Sequence, residues 1–194
     1  MSLPEENKLS SKSAPMNFLV RLRNEQLIDY EWGGSDLQNP QEGLRIKIWR
    51  CFYEGKKIKI TDGNLIYSLI NVDAVTAVGL AFDFNMNPNV VYIADGKTYF
   101  WWYDTVAHKH ITTEYGAEFI SPQISLDDHR LHQSASADII FAYIRNAKLC
   151  YRQQRDRYQI EYVLGDAKNQ KLTQIGMSKN YRFQFRTVFD WRNE

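Results

Sequence analysis

The stretch "CYRQQRDRY", residues 150–158, holds the densest set of side chains that could recognise an anion. Three arginines, two glutamines and one aspartate lie between its two tyrosines. Arginine and glutamine at this density are suited to bidentate hydrogen bonds with carboxylates or phosphates. Over residues 145–157 five cationic side chains face Asp156 alone, which gives a local charge of +4.

Three interpretations of this segment stay open. The first is a subunit interface made by Arg145, Arg152, Gln153, Gln154, Arg155 and Arg157. The second is a set of intramolecular ion pairs with Asp83, Asp127, Asp128 or Glu161. The third is a nucleic-acid contact, which this local patch would have to make, because a formal net charge of +1 gives the chain no general attraction to polyanions.

A second candidate site is "FWWYD", which sets four aromatic residues in a row at residues 100–103. On a strand, alternate side chains point to opposite faces, so Phe100 and Trp102 share one face and Trp101 and Tyr103 the other. Either both faces are buried, or one presents aromatic rings to a sugar, a base or another subunit. The possible ligand or partner aromatics are Trp101, Trp102 and Tyr103.

The remaining polar motifs predict neither catalysis nor a metal site. "LDDHRLH" at residues 126–132 is typical of a charged turn, and "HKH" at residues 108–110 offers two histidines without a third ligand nearby. No nucleophile elbow, phosphate-binding loop or dinucleotide fingerprint occurs. Two cysteines, Cys51 and Cys150, form no disulfide framework and no zinc motif. We therefore expect no enzymatic activity, no cofactor and no catalytic residue.

The elements that must position these motifs are β-strands. Short runs of β-branched and aromatic residues alternate with polar ones, and no window shows a helical apolar stripe. The clearest hairpin spans residues 91–104 and turns at Asp95-Gly96, a strong type I′ pair. We predict another with "RNAK" at its tip, a third turning at Gly165-Asp166, and a terminal strand at "NYRFQFRTVF".

A weak internal repeat runs through three hairpins, namely a further one predicted at "EGKK", residues 54–57, and those that turn at "ADGK" and "RNAK". Aligning Gly55, Gly96 and Ala147 at their turns gives spacings of 41 and 51 residues, close to the period of roughly 40 to 50 residues typical of propeller blades. The fold class predicted is mainly β, built of antiparallel hairpin repeats in a propeller-like or sandwich arrangement. Three or four blades are few for a closed propeller, so an open edge or a partner is expected.

The domain organisation predicted is a flexible N-terminal arm, residues 1–16, followed by a single β-rich domain, residues 17–194. The arm is polar, with two prolines and no periodicity. The sequence lacks a signal peptide and any apolar run near the roughly 20 residues that a membrane helix needs. We therefore expect a soluble protein made in a reducing compartment.

Three segments resemble the structural proteins of tailed bacteriophages. They are "AFDFNMNPNVVYIADGKTYFWWYDT", "SPQISLDDHR" and "ADIIFAYIRNAKLCYRQQRDRYQIEYVL". The resemblance spans about residues 30–187, is densest at "AYIRNAKLCYRQQRDRY", and is similar in character to the phage DNA-stabilising and tail-nozzle propeller proteins. It implies a tail or head–tail junction component present in several copies per virion, and no catalytic residues.

From these observations we expect a virion structural protein, made in the bacterial cytoplasm, that assembles with itself and with other tail or connector proteins. In that role Arg155→Glu is expected to fold but not to assemble. The alternative is a carbohydrate-binding or host-receptor adaptor module, in which Asp104 and His108 would hydrogen-bond a sugar stacked on the aromatic residues. A further possibility is contact with DNA in the tail lumen, with a steep salt dependence.

Overall fold

The computed structural model describes residues 28–33, 47–83, 85, 87–127, 138–177 and 183–190. It confirms the mainly β prediction, with strands that pair in antiparallel sheets of two to four. The strands are β1 (Ile28–Gly33), β2 (Lys47–Glu54), β3 (Lys57–Thr61), β4 (Ile66–Asn71), β5 (Val75–Phe82), β6 (Pro88–Ala94), β7 (Lys97–Asp104), β8 (Lys109–Gly116), β9 (Ile120–Leu126), β10 (Ile139–Arg145), β11 (Lys148–Gln153), β12 (Tyr162–Asp166), β13 (Gln170–Met177) and β14 (Phe183–Phe189).

Three sheets are four-stranded meanders, in which each strand pairs with the next strand along the chain. We call β1–β4 the first sheet, β5–β8 the second and β9–β12 the third. Strands β13 and β14 form the fourth sheet, which has two strands among the described residues. Each sheet is joined to the following one by a short connection, at residues 72–74, 117–119 and 167–169. The chain therefore repeats one unit, a contiguous antiparallel sheet followed by a tight crossover.

The sheets stack in chain order through their first strands. Strand β1 lies against β5, β5 against β9, and β9 against β13. The second strand of each of the three four-stranded sheets also approaches the first strand of the next sheet. Small antiparallel sheets that pack on one another in chain order are consistent with the predicted propeller-like or sandwich arrangement.

The turns between the second and third strands explain the sequence repeat. Each has two central residues with positive φ, which is the geometry of a type I′ turn. The pairs are Gly55-Lys56 (φ 58° and 62°), Asp95-Gly96 (φ 49° and 73°) and Asn146-Ala147 (φ 51° and 57°). The predicted hairpins are thus confirmed, but the alignment is wrong by one residue in the first sheet, where Lys56 rather than Gly55 matches Gly96 and Ala147.

An apolar core fills each space between neighbouring sheets. Ile58, Leu80 and Val90 lie in the core between the first and second sheets. Phe100 and Phe141 stack with ring centroids 5.0 Å apart in the core between the second and third. Strand β7 serves both cores because its side chains alternate in direction. Burial of apolar surface on both faces of the second sheet therefore holds it against the first and third sheets.

One predicted hairpin is wrong. Gly165 and Asp166 end β12 instead of forming a turn, and β12 pairs with β11, not with the strand after it. The chain crosses at residues 167–169 to β13, where Leu172 and Ile175 are buried against the third sheet. The predicted terminal strand is confirmed as β14. The predicted arm at residues 1–16 lies outside the described residues, and the single domain over residues 17–194 stays a prediction.

Candidate functional site

The arginine-rich segment leaves the third sheet and reaches the second. It continues from β11 into a 3-10 helix at Gln154–Asp156, and the next two residues, Arg157 and Tyr158, adopt left-handed φ angles of 51° and 59°. A bulky residue in this conformation is strained and needs surrounding contacts to hold it. Those contacts come from both sheets.

Tyr158 anchors the segment in the core between the second and third sheets. Its side chain is 1% exposed, and it packs edge-on against Phe100 and Trp102 of β7, with centroid distances of 4.5 and 5.0 Å. Its hydroxyl lies 3.4 Å from the Oδ1 atom of Asn89. Burial raises the pKa of Tyr158, so the phenol stays neutral. Two aromatic contacts of this kind give the segment a fixed depth between the sheets.

Two polar side chains of the segment bind carboxylates of the second sheet. The Arg157 guanidinium forms a short ion pair with Asp104 at the end of β7. The Nε2 atom of Gln154 donates to the Oδ2 atom of Asp83, at 3.1 Å. Asp104 is buried, which works against its charge, but hydrogen bonds from Arg157 and from the backbone N–H groups of Ala107 and Val106 lower its pKa. The segment is thus tied to the second sheet at two points.

A third tie runs within the third sheet. The Nε atom of Arg155 donates to the Oδ2 atom of Asp138 at 2.5 Å, and the Arg155 backbone N–H donates to Oδ1 at 3.0 Å. A second guanidinium nitrogen lies 3.6 Å from Asp127. The Asp138 side chain is only 5% exposed, and burial raises its pKa despite the hydrogen bonds from Arg155. Without Arg155 this carboxylate would lose its cationic partner in the structure.

Arg152 sits at the centre of a hydrogen-bonded cluster behind the segment. Its Nε donates to the Tyr143 hydroxyl at 2.8 Å, and its Nη1 donates to the Tyr158 carbonyl at 2.8 Å. The Tyr143 hydroxyl in turn donates to Glu161 at 2.5 Å, and Arg145 pairs with the other oxygen of Glu161 at 2.9 Å. Burial raises the pKa of Tyr143. Arg152 also pairs with Glu161, so this carboxylate is shared by two arginines and a tyrosine.

The intramolecular interpretation accounts for most of the charge in the segment. Three of the four carboxylates expected as partners, Asp83, Asp127 and Glu161, bind its polar side chains, and Asp128 lies outside the described residues. Gln153 is also engaged, because its Nε2 donates to Asp156 at 2.8 Å. Only Arg155 and Arg157, with side chains 55% and 50% exposed, keep much surface for another molecule.

The candidate site residues predicted from sequence did not include Asp138, nor Tyr158 as an anchor. The signal for Asp138 is its position directly before the apolar run "IIFAYI", where a buried carboxylate requires a partner. Tyr158 could not be found this way, because its inward direction depends on the left-handed turn before it.

The aromatic run does not form a binding platform. Trp101 and Trp102 are 8% and 5% exposed, so the faces of their rings are not open to a sugar, and the expectation that they stack a ligand is corrected. The reason is that β7 belongs to the second sheet, and the side chains on both faces of this strand are buried against neighbouring sheets. Tyr103 is half-buried and meets the ring of His110 edge-on at 5.1 Å.

The histidine and acidic motifs are only partly described. His110 stacks on Trp101 with centroids 4.0 Å apart, whereas His108 lies in the turn before β8 with φ 51°. In "LDDHRLH" the described Asp127 accepts a hydrogen bond from the Asp138 backbone N–H at 2.7 Å, and residues 128–132 lie outside the described part. Within the described ranges no three His, Cys, Asp or Glu side chains converge as they would around a metal ion.

Comparison with known proteins adds no assignment. No protein-family model matches the chain, and none of the curated proteins matches it. Among the described residues, no helix is both long and apolar enough to cross a membrane.

This arrangement supports a structural role: it is a brace that holds the second and third sheets together. Its charged groups meet opposite charges, and burial raises the pKa of the nearby Cys150 thiol, which disfavours a thiolate. The site joins two sheets by an aromatic anchor, an ion pair and an amide–carboxylate contact.

Proposed function

We propose that this chain is a non-enzymatic structural protein of a tailed-phage virion, located in the tail or at the head–tail junction. The observation that carries the proposal is a stack of sheets with apolar side chains exposed on, and directly before, its outer strands. Leu65, Ile66 and Val163 are 59%, 63% and 55% exposed. Exposed apolar groups in a folded protein favour contact with another protein surface.

The phage context comes from the sequence resemblance, and the braced geometry supports it. A component of a virion must keep its shape under load from its neighbours, and the Arg157–Asp104 pair and the Tyr158 anchor lock two successive sheets. The partners proposed are copies of the same chain and neighbouring tail or connector proteins. A ring-shaped homo-oligomer is the form that the proposal favours.

The arginine-rich segment has a smaller intermolecular role in this proposal than its charge indicates. Arg145, Arg152, Gln153 and Gln154 mainly position other parts of the same chain. Arg155 and Arg157 combine an intramolecular ion pair with half-exposed side chains. They are the two members of the proposed subunit interface that a neighbouring subunit, or DNA in the tail lumen, could reach.

The test is to look for the chain in purified particles. Phage particles from the bacterium that carries the gene would be purified on a density gradient, and isolated tails would be separated from heads before peptide mass spectrometry. We expect peptides of this chain in the tail or junction fraction, at a constant ratio to other tail proteins. Its absence from particles that are otherwise complete would overturn the proposal.

A further inference from the structure

The outermost strand of the first sheet carries an exposed apolar edge. Among the described residues, strand β4 pairs with β3 on one side and with no strand on the other, so its outer edge is a row of backbone hydrogen-bonding groups without a strand partner there. Ile66 and Tyr67 at the start of the strand are 63% and 44% exposed, and Leu65 directly before it is 59% exposed. The strand, "IYSLIN", has no charged residue. Charge on an edge strand is one way in which proteins prevent pairing with other chains, and β4 lacks it.

The outermost strand of the third sheet has the same character. Within the described ranges, β12 likewise pairs with β11 alone. Val163 and Leu164 on this strand are 55% and 47% exposed, and Ile160, two residues before the strand, is 49% exposed. Its single charged residue, Asp166, stands at the end of the strand opposite Lys148 of β11. The free edge of β12 is therefore apolar and uncharged along most of its length.

The second sheet differs from the first and third in its outermost strand. Its outermost strand, β8, has the sequence "KHITTEYG" and carries Lys109 and Glu114. Glu114 is exposed and pairs with Lys97 at 2.6 Å. An edge of this kind is protected against strand addition. The two unprotected edges thus flank a protected one, and they belong to different sheets of the chain.

We infer that β4 of one copy adds to β12 of the next copy, so that identical chains join head to tail through a continuous sheet. The inference rests on the proposed function and names the surface through which self-assembly occurs. The occupant is a second copy because both edges are apolar and, apart from Asp166 at the end of β12, uncharged, so that each can satisfy the apolar groups and backbone hydrogen-bonding groups of the other. A contact between two different patches leaves one edge open at each end, which generates rings or filaments instead of closed dimers.

The experiment uses single-edge variants of the full chain. Ile66→Lys places a charge on the β4 edge, and Leu164→Lys places one on the β12 edge. Thr112→Lys, at an exposed position of β8, is the matched control. Native mass spectrometry would measure the oligomeric state of each variant alone and of an equimolar mixture of the two edge variants. Circular dichroism would check folding, and Ile66→Gln with Leu164→Gln would replace any variant that does not fold.

The expected results distinguish a head-to-tail contact from its alternatives. The wild type and Thr112→Lys should form oligomers larger than dimers, each edge variant alone should be monomeric, and the mixture should give dimers only. Dimers of either edge variant alone would show like-to-like pairing and overturn the inference. A mixture that stays monomeric, or a monomeric wild type, would overturn it too, but detection of the chain in purified virions would then still support the proposed function.

Discussion

At the scale of single residues, backbone conformation limits what the side chain at a position can be. The second turn residue of each four-stranded sheet is left-handed, yet it is Lys56, Gly96 and Ala147 in the three sheets. A left-handed φ costs a non-glycine L-residue about 1–2 kcal/mol, whereas glycine adopts it freely. The third sheet therefore contains a conformational cost that the second sheet avoids at the equivalent residue.

Replacing Ala147 with glycine should stabilise the protein. Relief of the left-handed strain exceeds the roughly 0.4–1 kcal/mol that glycine's greater freedom in the unfolded chain costs, so a net gain of about 0.5–1 kcal/mol is expected. Gly96→Ala is the reverse control, because nothing lies within 4 Å of the added Cβ and only the φ angle of 73° opposes it. Urea denaturation measures both, and a lower midpoint for Ala147→Gly would contradict the prediction.

His110 should make stability depend on pH. The residue is exposed overall, but its ring stacks on Trp101, and this partial loss of solvent lowers its pKa, so the folded chain favours the neutral ring. Below about pH 6.5 the unfolded chain takes up a proton that the folded chain binds less readily, and stability falls with pH. His110→Phe keeps an aromatic ring on Trp101 without a titrating group, so its stability should vary less between about pH 7.5 and 5.5. Identical pH profiles for wild type and variant would contradict this.

At the scale of elements, the arginine-rich segment shows what sequence can and cannot predict. The hairpins follow from turn chemistry and strand alternation, so Asp95-Gly96 and the β10–β11 hairpin could be placed in advance. The bracing role of Tyr158 and Asp138 could not, because both depend on a 3-10 helix and a left-handed turn that no local pattern specifies. The failed hairpin at Gly165-Asp166 has a similar cause, since packing of β13 on the third sheet decides where the chain crosses.

The same segment changes what is expected of Arg155→Glu. From sequence this variant should fold and fail to assemble, but the structure pairs Arg155 with the buried carboxylate of Asp138. The variant places two carboxylates together, so a loss of about 1–3 kcal/mol in the free energy of unfolding is expected. Arg186→Glu, at an exposed position on β14, is the control and should change stability by less than about 0.5 kcal/mol. Equal thermal midpoints for both variants would contradict the prediction.

At the scale of the whole molecule, the distribution of charge separates two modes of association. The net charge is +1, the arginines of the segment are mostly paired within the chain, and strands β4 and β12 carry one charged residue between them, Asp166. The molecule thus offers apolar and backbone groups to its own copies, and little unpaired positive charge to a polyanion.

Self-association should therefore resist salt. Apolar contacts and backbone hydrogen bonds are not screened by salt as charge pairs are, so the oligomers should persist from low to high sodium chloride. Binding to duplex DNA, if it occurred through the arginine-rich segment, would weaken steeply over the same range. Analytical ultracentrifugation across a salt series, with a labelled DNA duplex in parallel, measures both. Oligomers that dissociate as salt rises would contradict an apolar interface.

The contiguous sheets have a consequence for synthesis on the ribosome. Every strand of the second sheet lies within residues 75–116, and every strand of the third within residues 120–166, so neither sheet waits for a distant partner strand. Local pairing of this kind favours fast folding, and units can form in the order in which they emerge. The Arg157–Asp104 pair can close only after residue 157 has left the exit tunnel. Translation would thus deliver the sheets one by one, and these contacts would join the third sheet to a second sheet that has already formed.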